Sequence, residues 1–238
     1  MRQYYEPLME FGHTLIEPGD TVIDGGANLG IFTCAFTAAV GPQGRVIAFE
    51  PLPYAYDALA DNIRANGFDN CEPHRSALSN QNGETKIDVR FGPVRASIVR
   101  DFGGTDVQTI PTCTIDSLNV SRVDFIKLDA EGAEVAAIEG TKATLCKFKP
   151  IVCVESTLED EYGPVSKILV DMGYQPFRFD DNGDLIALTN SYHLPQCVLY
   201  QLYAALADAG KSSSIVVIKI LVGIVVALNS DQTPNHRR

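Results

Sequence analysis

Short apolar runs alternate with amphipathic stretches along most of the chain. Runs such as TVID (21–24) and RVIAFE (45–50) have no regularly spaced polar positions, which predicts strands buried on both faces. Helical stretches follow them over about 29–40 and 53–66. The remaining predicted elements are strands near 71–77, 123–129, 150–155, 174–180 and 184–189, and helices over about 132–145 and 163–172. This alternation predicts an α/β fold, a doubly wound domain around a mostly parallel seven-stranded sheet, with its last two strands forming a hairpin.

The hydrophobic period changes between the third and fourth predicted strands. In KIDVRF (86–91) apolar residues alternate with polar ones, which is typical of a half-exposed antiparallel strand. QTIPTCTI (108–115) is its predicted partner. We therefore expect a small β insertion over about 80–118, placed over one end of the sheet, with residues 92–104 as its loop.

Both ends of the chain fall outside the alternating pattern. Tyr4–Leu15 predicts a short leading helix. The apolar stretch 215–228 has fourteen residues and is interrupted by Lys219, which is too short for a normal bilayer span and more typical of a core or interfacial element. We expect a main domain over 1–200 and a C-terminal extension over 201–238. A packed element is favoured over a membrane contact for its apolar stretch, and the role of the extension stays open.

Charge and cysteine content limit the binding partners and the cellular location expected for this protein. The chain has 19 Lys and Arg residues against 30 Asp and Glu residues, a formal net charge of −11. Nucleic-acid binding depends on surplus basic residues that neutralise phosphates, so no nucleic-acid partner is expected. Six widely spaced cysteines form no CxxC motif, and the start of the chain has no signal-peptide core. These features favour a reducing, cytoplasmic location without a clear membrane span.

The sequence TVIDGGANLGIF (21–32) predicts a ligand-binding turn between the first strand and its helix. Asp24 ends the strand, and Gly26 and Gly30 allow a tight turn that a ligand can approach closely. We expect Asn28 to cap the helix, whose free N–H groups then face the site. Such donors suit a carboxylate or a phosphate.

The order of acid and glycines favours S-adenosylmethionine over NAD. The dinucleotide fingerprint G-x-G-x-x-G is absent. A carboxylate at Asp24 would repel a pyrophosphate, yet it can accept a hydrogen bond from the α-ammonium of a methionine moiety. Glu50, at the end of the second strand, can hold ribose hydroxyls in either case. An NAD-dependent oxidoreductase, a non-catalytic cofactor-binding protein and a turn that merely packs helix on strand are the alternatives.

Acidic residues follow two later strands. FIKLDAEGAE places Asp129 and Glu131 after the fourth strand, and VCVES places Glu155 at the end of the fifth. We expect Asp129 and Glu155 to flank one cleft, where a carboxylate takes the proton of an acceptor hydroxyl. A Mg²⁺ site is the lesser alternative, because no third ligand stands out. Glu134 is expected to cap free N–H groups of the following helix, and for Glu131 catalysis and capping are equally favoured.

Together these motifs resemble the FkbM family of S-adenosylmethionine-dependent methyltransferases. The resemblance runs from about Pro18 to Thr189 and rests on DGGANLGIFT, RVIAFEP, SALSNQNGE, TIDSL and IKLDAEGAEVAAIEG. It implies a class I methyltransferase fold, which is Rossmann-like, and O-methylation of a small molecule or sugar. It places Asp24, Gly26, Asn28 and Gly30 around the methionine part, Glu50 on the ribose, Ser76 and Ala77 near the adenine, and Asp129 and Glu131 at the cleft. Gly25 stands where the family often has a larger apolar residue.

Overall fold

The structure, a computed structural model, describes residues 15–89, 107–130, 132–155, 163–179, 185–187 and 197–202. The predicted leading helix, the loop 92–104, Glu131 and the apolar stretch 215–228 lie outside the described residues, apart from Leu15 at the end of that helix. No helix in the described ranges is long and apolar enough to cross a bilayer.

The strands and helices agree with most of the predicted elements. The strands are β1 (Thr21–Gly25), β2 (Arg45–Phe49), β3 (Cys71–His74), β4 (Ala77–Leu78), β5 (Gly83–Asp88), β6 (Val107–Cys113), β7 (Phe125–Leu128), β8 (Ile151–Glu155), β9 (Tyr174–Phe179), β10 (Leu185–Ala187) and β11 (Cys197–Leu202). The helices are α1 (Ile31–Val40), α2 (Pro53–Ala65), α3 (Glu134–Glu139), α4 (Lys142–Phe148) and α5 (Pro164–Asp171).

The main sheet has the order β10-β9-β11-β8-β7-β1-β2-β3. Strands β3, β2, β1, β7 and β8 are parallel to one another, whereas β11 is antiparallel to β8 and β10 is antiparallel to β9. The predicted doubly wound α/β fold is confirmed. The described part of the sheet has eight strands rather than seven because β11 was not predicted. Strand β11 pairs with β8, which is not its neighbour in sequence, so neither a crossover helix nor a hairpin turn indicated it.

The core lies between the central strands and the helices that cover them. Val22, Ile23, Val46 and Ile47 are almost fully buried, as expected for parallel strands covered on both faces. Helix α1 packs Phe36 edge-on against the ring of Phe125, with the ring centroids 5.6 Å apart. Strands β2 and β3 lie on one side of β1, and β7 and the strands that follow it lie on the other side. The sheet therefore has its switch point between β1 and β7, where ligands bind in folds of this class.

The inserted element forms a second sheet of three strands in the order β4-β6-β5. Strands β5 and β6 pair antiparallel over their full length, with Thr85 opposite Ile110, so the predicted pairing is confirmed. The predicted third strand 71–77 is shorter than expected. It ends at His74, and Ala77 already belongs to β4 of the second sheet.

The helix predicted over 132–145 is wrong as a single element, because the chain breaks into α3 and α4 at Gly140. A Cβ on Gly140 would lie 2.0 Å from the carbonyl oxygen of Ser79, so the inserted element approaches too closely for any side chain there. The N–H of Asp116 donates to the carbonyl of Gly140 (3.0 Å), and its carboxylate accepts bonds of 2.9 and 2.7 Å from two first-turn N–H groups of α4. The motifs SALSN and TIDSL thus fix this junction.

Candidate functional site

The residues that follow the central strands meet at the carboxyl edge of the sheet. The backbone N–H of Asp129 donates to Gly25 (3.0 Å), and the N–H of Gly26 donates to Phe49 (3.0 Å). Strand β8 continues the row, since Leu128 is paired with Val154 and the next residues along are Asp129 and Glu155. The predicted cofactor turn and the predicted cleft acids therefore share one edge.

The turn between β1 and α1 contains three residues with left-handed backbone. The φ angles are 76° at Gly26, 49° at Asn28 and 90° at Gly30. Gly30 is the N-cap residue of α1, and no side chain caps the helix. The prediction that Asn28 caps α1 is wrong. Asn28 lies two residues before the cap, and its own N–H donates to the carboxylate of Glu50 (2.9 Å). The first turn of α1 consequently keeps backbone N–H donors for a ligand.

The glycines of the turn are required by packing inside the protein. A Cβ on Gly26 would lie 1.8 Å from the carbonyl oxygen of Asp129, and one on Gly30 would lie 2.7 Å from a methyl group of Leu59. These glycines were predicted to allow a tight turn, which their φ angles confirm, and the close approach of a ligand. In the structure their close neighbours are protein atoms, which tie the turn to β7 on one side and to α2 on the other.

Gly25 has its own neighbours. A Cβ there would lie 2.7 Å from a methyl group of Leu78 and 2.9 Å from one of Leu128. Both atoms are the far ends of flexible side chains. Two leucine side chains thus occupy the space beside Gly25.

Glu50 is a buried carboxylate with spare hydrogen-bonding capacity. It is 6% exposed, and its two oxygens accept from the N–H groups of Asn28 and Leu52, each at 2.9 Å. Burial raises the pKa of Glu50, and the two N–H donors act in the opposite direction. Each carboxylate oxygen can accept a second bond. The adjacent hydroxyls of a ribose would suit those two free positions.

Asp24 is buried completely, at 0% exposure. The hydroxyl of Thr33 on α1 donates to its Oδ2 (2.6 Å), and Lys127 Nζ lies 3.4 Å from its Oδ1. No hydrogen bond of normal geometry to Oδ1 is present among the described residues, so the Lys127 ammonium is its ion-pair partner. The carboxylate therefore lies beneath the turn, held between α1 and β7.

Lys127 connects Asp24 to Asp129. Its side chain is almost fully buried, with Nζ 3.5 Å from Asp129 Oδ2, 3.5 Å from the carbonyl of Gly26 and 4.9 Å from the centre of the Phe32 ring. Burial by itself lowers the pKa of Lys127, but the carboxylates of Asp24 and Asp129 outweigh that effect and the pKa is raised. The site thus contains a buried lysine paired with two carboxylates.

Lys127 and Thr33 were given no role in the predicted site. A signal for Lys127 existed, because FIKLD places one charged residue inside an otherwise apolar strand. A lysine in such a position must have buried partners, and the acids after β1 and β7 are the available ones. Thr33 gave no signal, since a threonine on a helix facing a sheet is an ordinary packing residue.

The remaining predicted site residues differ in their burial and in their contacts. Asp129 is half-buried, and its side chain is 31% exposed. Ser76 Oγ is 3.3 Å from Cys113 Sγ, and Ala77 packs into an apolar cluster between the inserted element and the start of α2. Only the backbone of Glu155 is described. The adenine contacts of Ser76 and Ala77 and the catalytic role of Glu155 stay predictions.

Glu134 lies in the first turn of α3 as predicted, but its predicted capping of helical N–H groups is wrong, because its partners lie in the loop before the helix. Its Oε1 accepts from the N–H groups of Ala130 (2.9 Å) and Gly132 (3.1 Å). The carboxylate thereby closes the loop between β7 and α3. Across the described ranges, no three His, Cys, Asp or Glu side chains are grouped closely enough to hold a metal ion.

Comparison with known proteins identifies the family. The family model described as Methyltransferase FkbM domain matches residues 24–176, which is well over half of the chain. The chain belongs to the FkbM methyltransferase family. The predicted family is confirmed, and with it S-adenosylmethionine as the cofactor.

Relatives and solved structures agree with this assignment. Methyltransferase sdnD of Sordaria araneosa is 24% identical over 194 residues, covering 66% of this chain and 74% of its own. The FkbM methyltransferase of Methylobacillus flagellatus superposes with a TM-score of 0.50 at 18% identity, covering 82% of this chain and 50% of that structure. Streptococcus mutans SMU.1697c, solved with SAH, has a TM-score of 0.50 at 10% identity over 84% of this chain and 99% of its own. These structures share the fold, and this chain spans half the length of the FkbM structure.

The residues at the carboxyl edge fit S-adenosylmethionine. The uncapped first turn of α1 offers N–H donors for a carboxylate. Glu50 offers two acceptor positions to a ribose. The contact predicted between Asp24 and the methionine ammonium stays a prediction, since in this structure that carboxylate has Thr33 and Lys127 as partners.

Proposed function

We propose that this chain methylates a hydroxyl group on a small molecule or sugar, with Asp129 as the base. The observation that carries the proposal is the position of Asp129. Its half-buried side chain lies at the carboxyl edge of the sheet, directly beside the turn that fits the cofactor. Among the described residues, no hydrogen bond engages its Oδ1, which leaves that oxygen available to an acceptor.

The residues of the chain divide the work between cofactor and acceptor. Backbone donors of α1 hold the methionine carboxylate, and Glu50 holds the ribose. Asp129 accepts the proton of the acceptor hydroxyl and orients its oxygen, with Glu155 as a second carboxylate on the neighbouring strand. When bound, S-adenosylmethionine supplies the electrophilic methyl group.

The acidic character of the chain supports a small acceptor. A net charge of −11 opposes association with the phosphates of a nucleic acid. The described cysteines, Cys34, Cys71, Cys113, Cys146 and Cys153, are free thiols, which is in keeping with the proposed cytoplasmic location.

The first experiment is a calorimetric titration with S-adenosylmethionine, its demethylated product S-adenosylhomocysteine (SAH) and NAD. An acceptor screen that detects SAH formation follows. Sugars and phenols form the main panel, and RNA is a separate arm. We expect S-adenosylmethionine and SAH to bind, NAD not to bind, and a hydroxylated small molecule to be methylated. Methylation of RNA alone would refute the proposed acceptor class.

The base is tested with Asp129→Asn once an acceptor is found. This variant should keep its affinity for SAH, while the transfer rate falls by about 100-fold or more, the usual size of a general-base effect. Asp69→Asn is the matched control, because Asp69 is exposed and lies before β3 at the opposite edge of the sheet. Full activity of Asp129→Asn would remove Asp129 as the base.

A further inference from the structure

We propose that Lys127 is a positioning residue of the transferase site. Its buried ammonium lies between Asp24 beneath the cofactor turn and Asp129 at the edge of the cleft, and it fixes these two halves of the site relative to each other. The part of this proposal that concerns Asp129 rests on the proposed function. The part that concerns the turn depends only on the cofactor.

The register of the sheet brings the three residues together. Asp24 on β1 is paired with Lys127 on β7, so both side chains lie on the same face, which α1 covers with Thr33. Asp129 lies two residues after Lys127 and returns to the same face. The Lys127 ammonium is then within 3.5 Å of both carboxylates and of the carbonyl of Gly26.

The charges explain why the arrangement must be complete. A buried ammonium loses its hydration, and so does a carboxylate with no exposure, so each requires a partner of opposite charge. Removing Lys127 would leave Asp24 and Asp129 close together without a cation between them. Mutual repulsion would then move the half-exposed Asp129 and disturb the turn, because Gly26 contacts both Lys127 and the backbone of Asp129.

The experiment compares Lys127→Met with Lys142→Met in the full chain. Lys142 is 52% exposed and forms a long ion pair with Glu139 at 4.0 Å on the surface, so its loss removes the same charge far from the turn. We expect Lys127→Met to bind SAH about tenfold more weakly or worse, the typical size of a coupling between two sites. Lys142→Met should bind like the parent protein.

A paired variant separates positioning from stability. Asp24→Asn combined with Lys127→Met removes both members of the buried pair, so it should fold even where Lys127→Met alone does not, as thermal unfolding will show. If the ammonium positions the turn, the paired variant stays weak in SAH binding. SAH affinity like that of the parent protein in Lys127→Met would overturn the proposal. If Lys127→Met does not fold, parent-like SAH affinity in the paired variant would overturn it. A parent protein that binds no SAH would instead contradict the proposed function.

Nuclear magnetic resonance gives a readout that does not depend on any ligand. In ¹⁵N-labelled protein the buried ammonium of Lys127 should give a slowly exchanging signal, assigned by its absence in Lys127→Met. Asp129→Asn should shift this signal, whereas Asp69→Asn should not. An unshifted signal in Asp129→Asn would show that the two residues are not paired, which would overturn the link between the two halves of the site.

Discussion

Replacing Gly26 with alanine tests whether this glycine serves the protein or the ligand. Its backbone has φ 76°, and a Cβ there would lie 1.8 Å from the carbonyl oxygen of Asp129. Left-handed backbone costs an L-residue about 1–2 kcal/mol. The close contact is with backbone, which cannot rotate away, and overpacking of this kind adds about 1–3 kcal/mol.

Gly67→Ala is the matched control for the backbone term. Gly67 has a similar φ of 67°, but nothing lies within 4 Å of the position of its Cβ. Gly67→Ala should therefore lose only the stability that left-handed backbone costs an alanine. The difference in free energy of unfolding between the two variants then isolates the contact of Gly26→Ala with Asp129. We expect Gly26→Ala to be less stable than Gly67→Ala by about 1–3 kcal/mol. For a domain of this size that is a difference in Tm of about 2–12 °C.

The assay is urea unfolding of both variants, together with SAH titration. Gly26→Ala should also bind SAH weakly, because the displaced carbonyl belongs to a residue of the cleft. Equal losses of stability in the two variants would refute the packing argument. If Gly26→Ala then still lost its affinity for SAH, the glycine would be needed for the approach of the ligand, as the sequence analysis expected.

Three further predictions follow from other contacts. SAH affinity should weaken as the pH falls, because the carboxylate form of Glu50 is the acceptor; its pKa is raised by burial, so weakening should begin at higher pH than for an exposed glutamate. Glu50→Gln should bind SAH weakly at every pH. An SAH affinity of the parent protein that does not change with pH would contradict this role of Glu50. Asp116→Ala should lose about 1 kcal/mol of stability through the lost cap of α4 and keep its SAH affinity, which unfolding and titration check. Cys71 is half-buried, and desolvation raises the pKa of its thiol to about 11. It should react with iodoacetamide at pH 8 far more slowly than the exposed Cys146, and equal labelling by mass spectrometry would contradict the raised pKa.

The fold could be predicted from the sequence because parallel strands and crossover helices alternate regularly. Strand β1 and helix α2 lie within two residues of their predicted limits. The errors occurred where a tertiary contact overrides the local pattern. The break at Gly140 depends on the carbonyl of Ser79, about sixty residues earlier. The helical spacing of apolar residues does not indicate such a contact. Strand β11 was missed because its partner β8 lies more than forty residues earlier, so no hairpin turn or crossover helix indicated the pairing.

The position of the site was predictable for the same reason, but the contacts of its residues were not. Residues after parallel strands must meet at the carboxyl edge, which brings Gly26, Glu50 and Asp129 together. The partner of Asp24 depends on which residue of β7 lies opposite it, and that register is set by the whole sheet. A ligand contact was predicted for Asp24 and stays a prediction, while its ion pair with Lys127 was not predicted.

Negative charge at this edge favours S-adenosylmethionine over NAD, although other residues than the predicted one provide it. Asp24 was predicted as an unpaired carboxylate that would repel a pyrophosphate, and in the structure that carboxylate is buried and paired. In the described part of the chain, Glu50 accepts from neutral N–H groups, and Lys127 is paired with both Asp24 and Asp129. Three described carboxylates thus lie at this edge with one ammonium. An excess of negative charge there opposes the two phosphates of a dinucleotide and favours the sulfonium cation of S-adenosylmethionine, so Glu50 and Asp129 carry the discrimination that Asp24 was expected to provide.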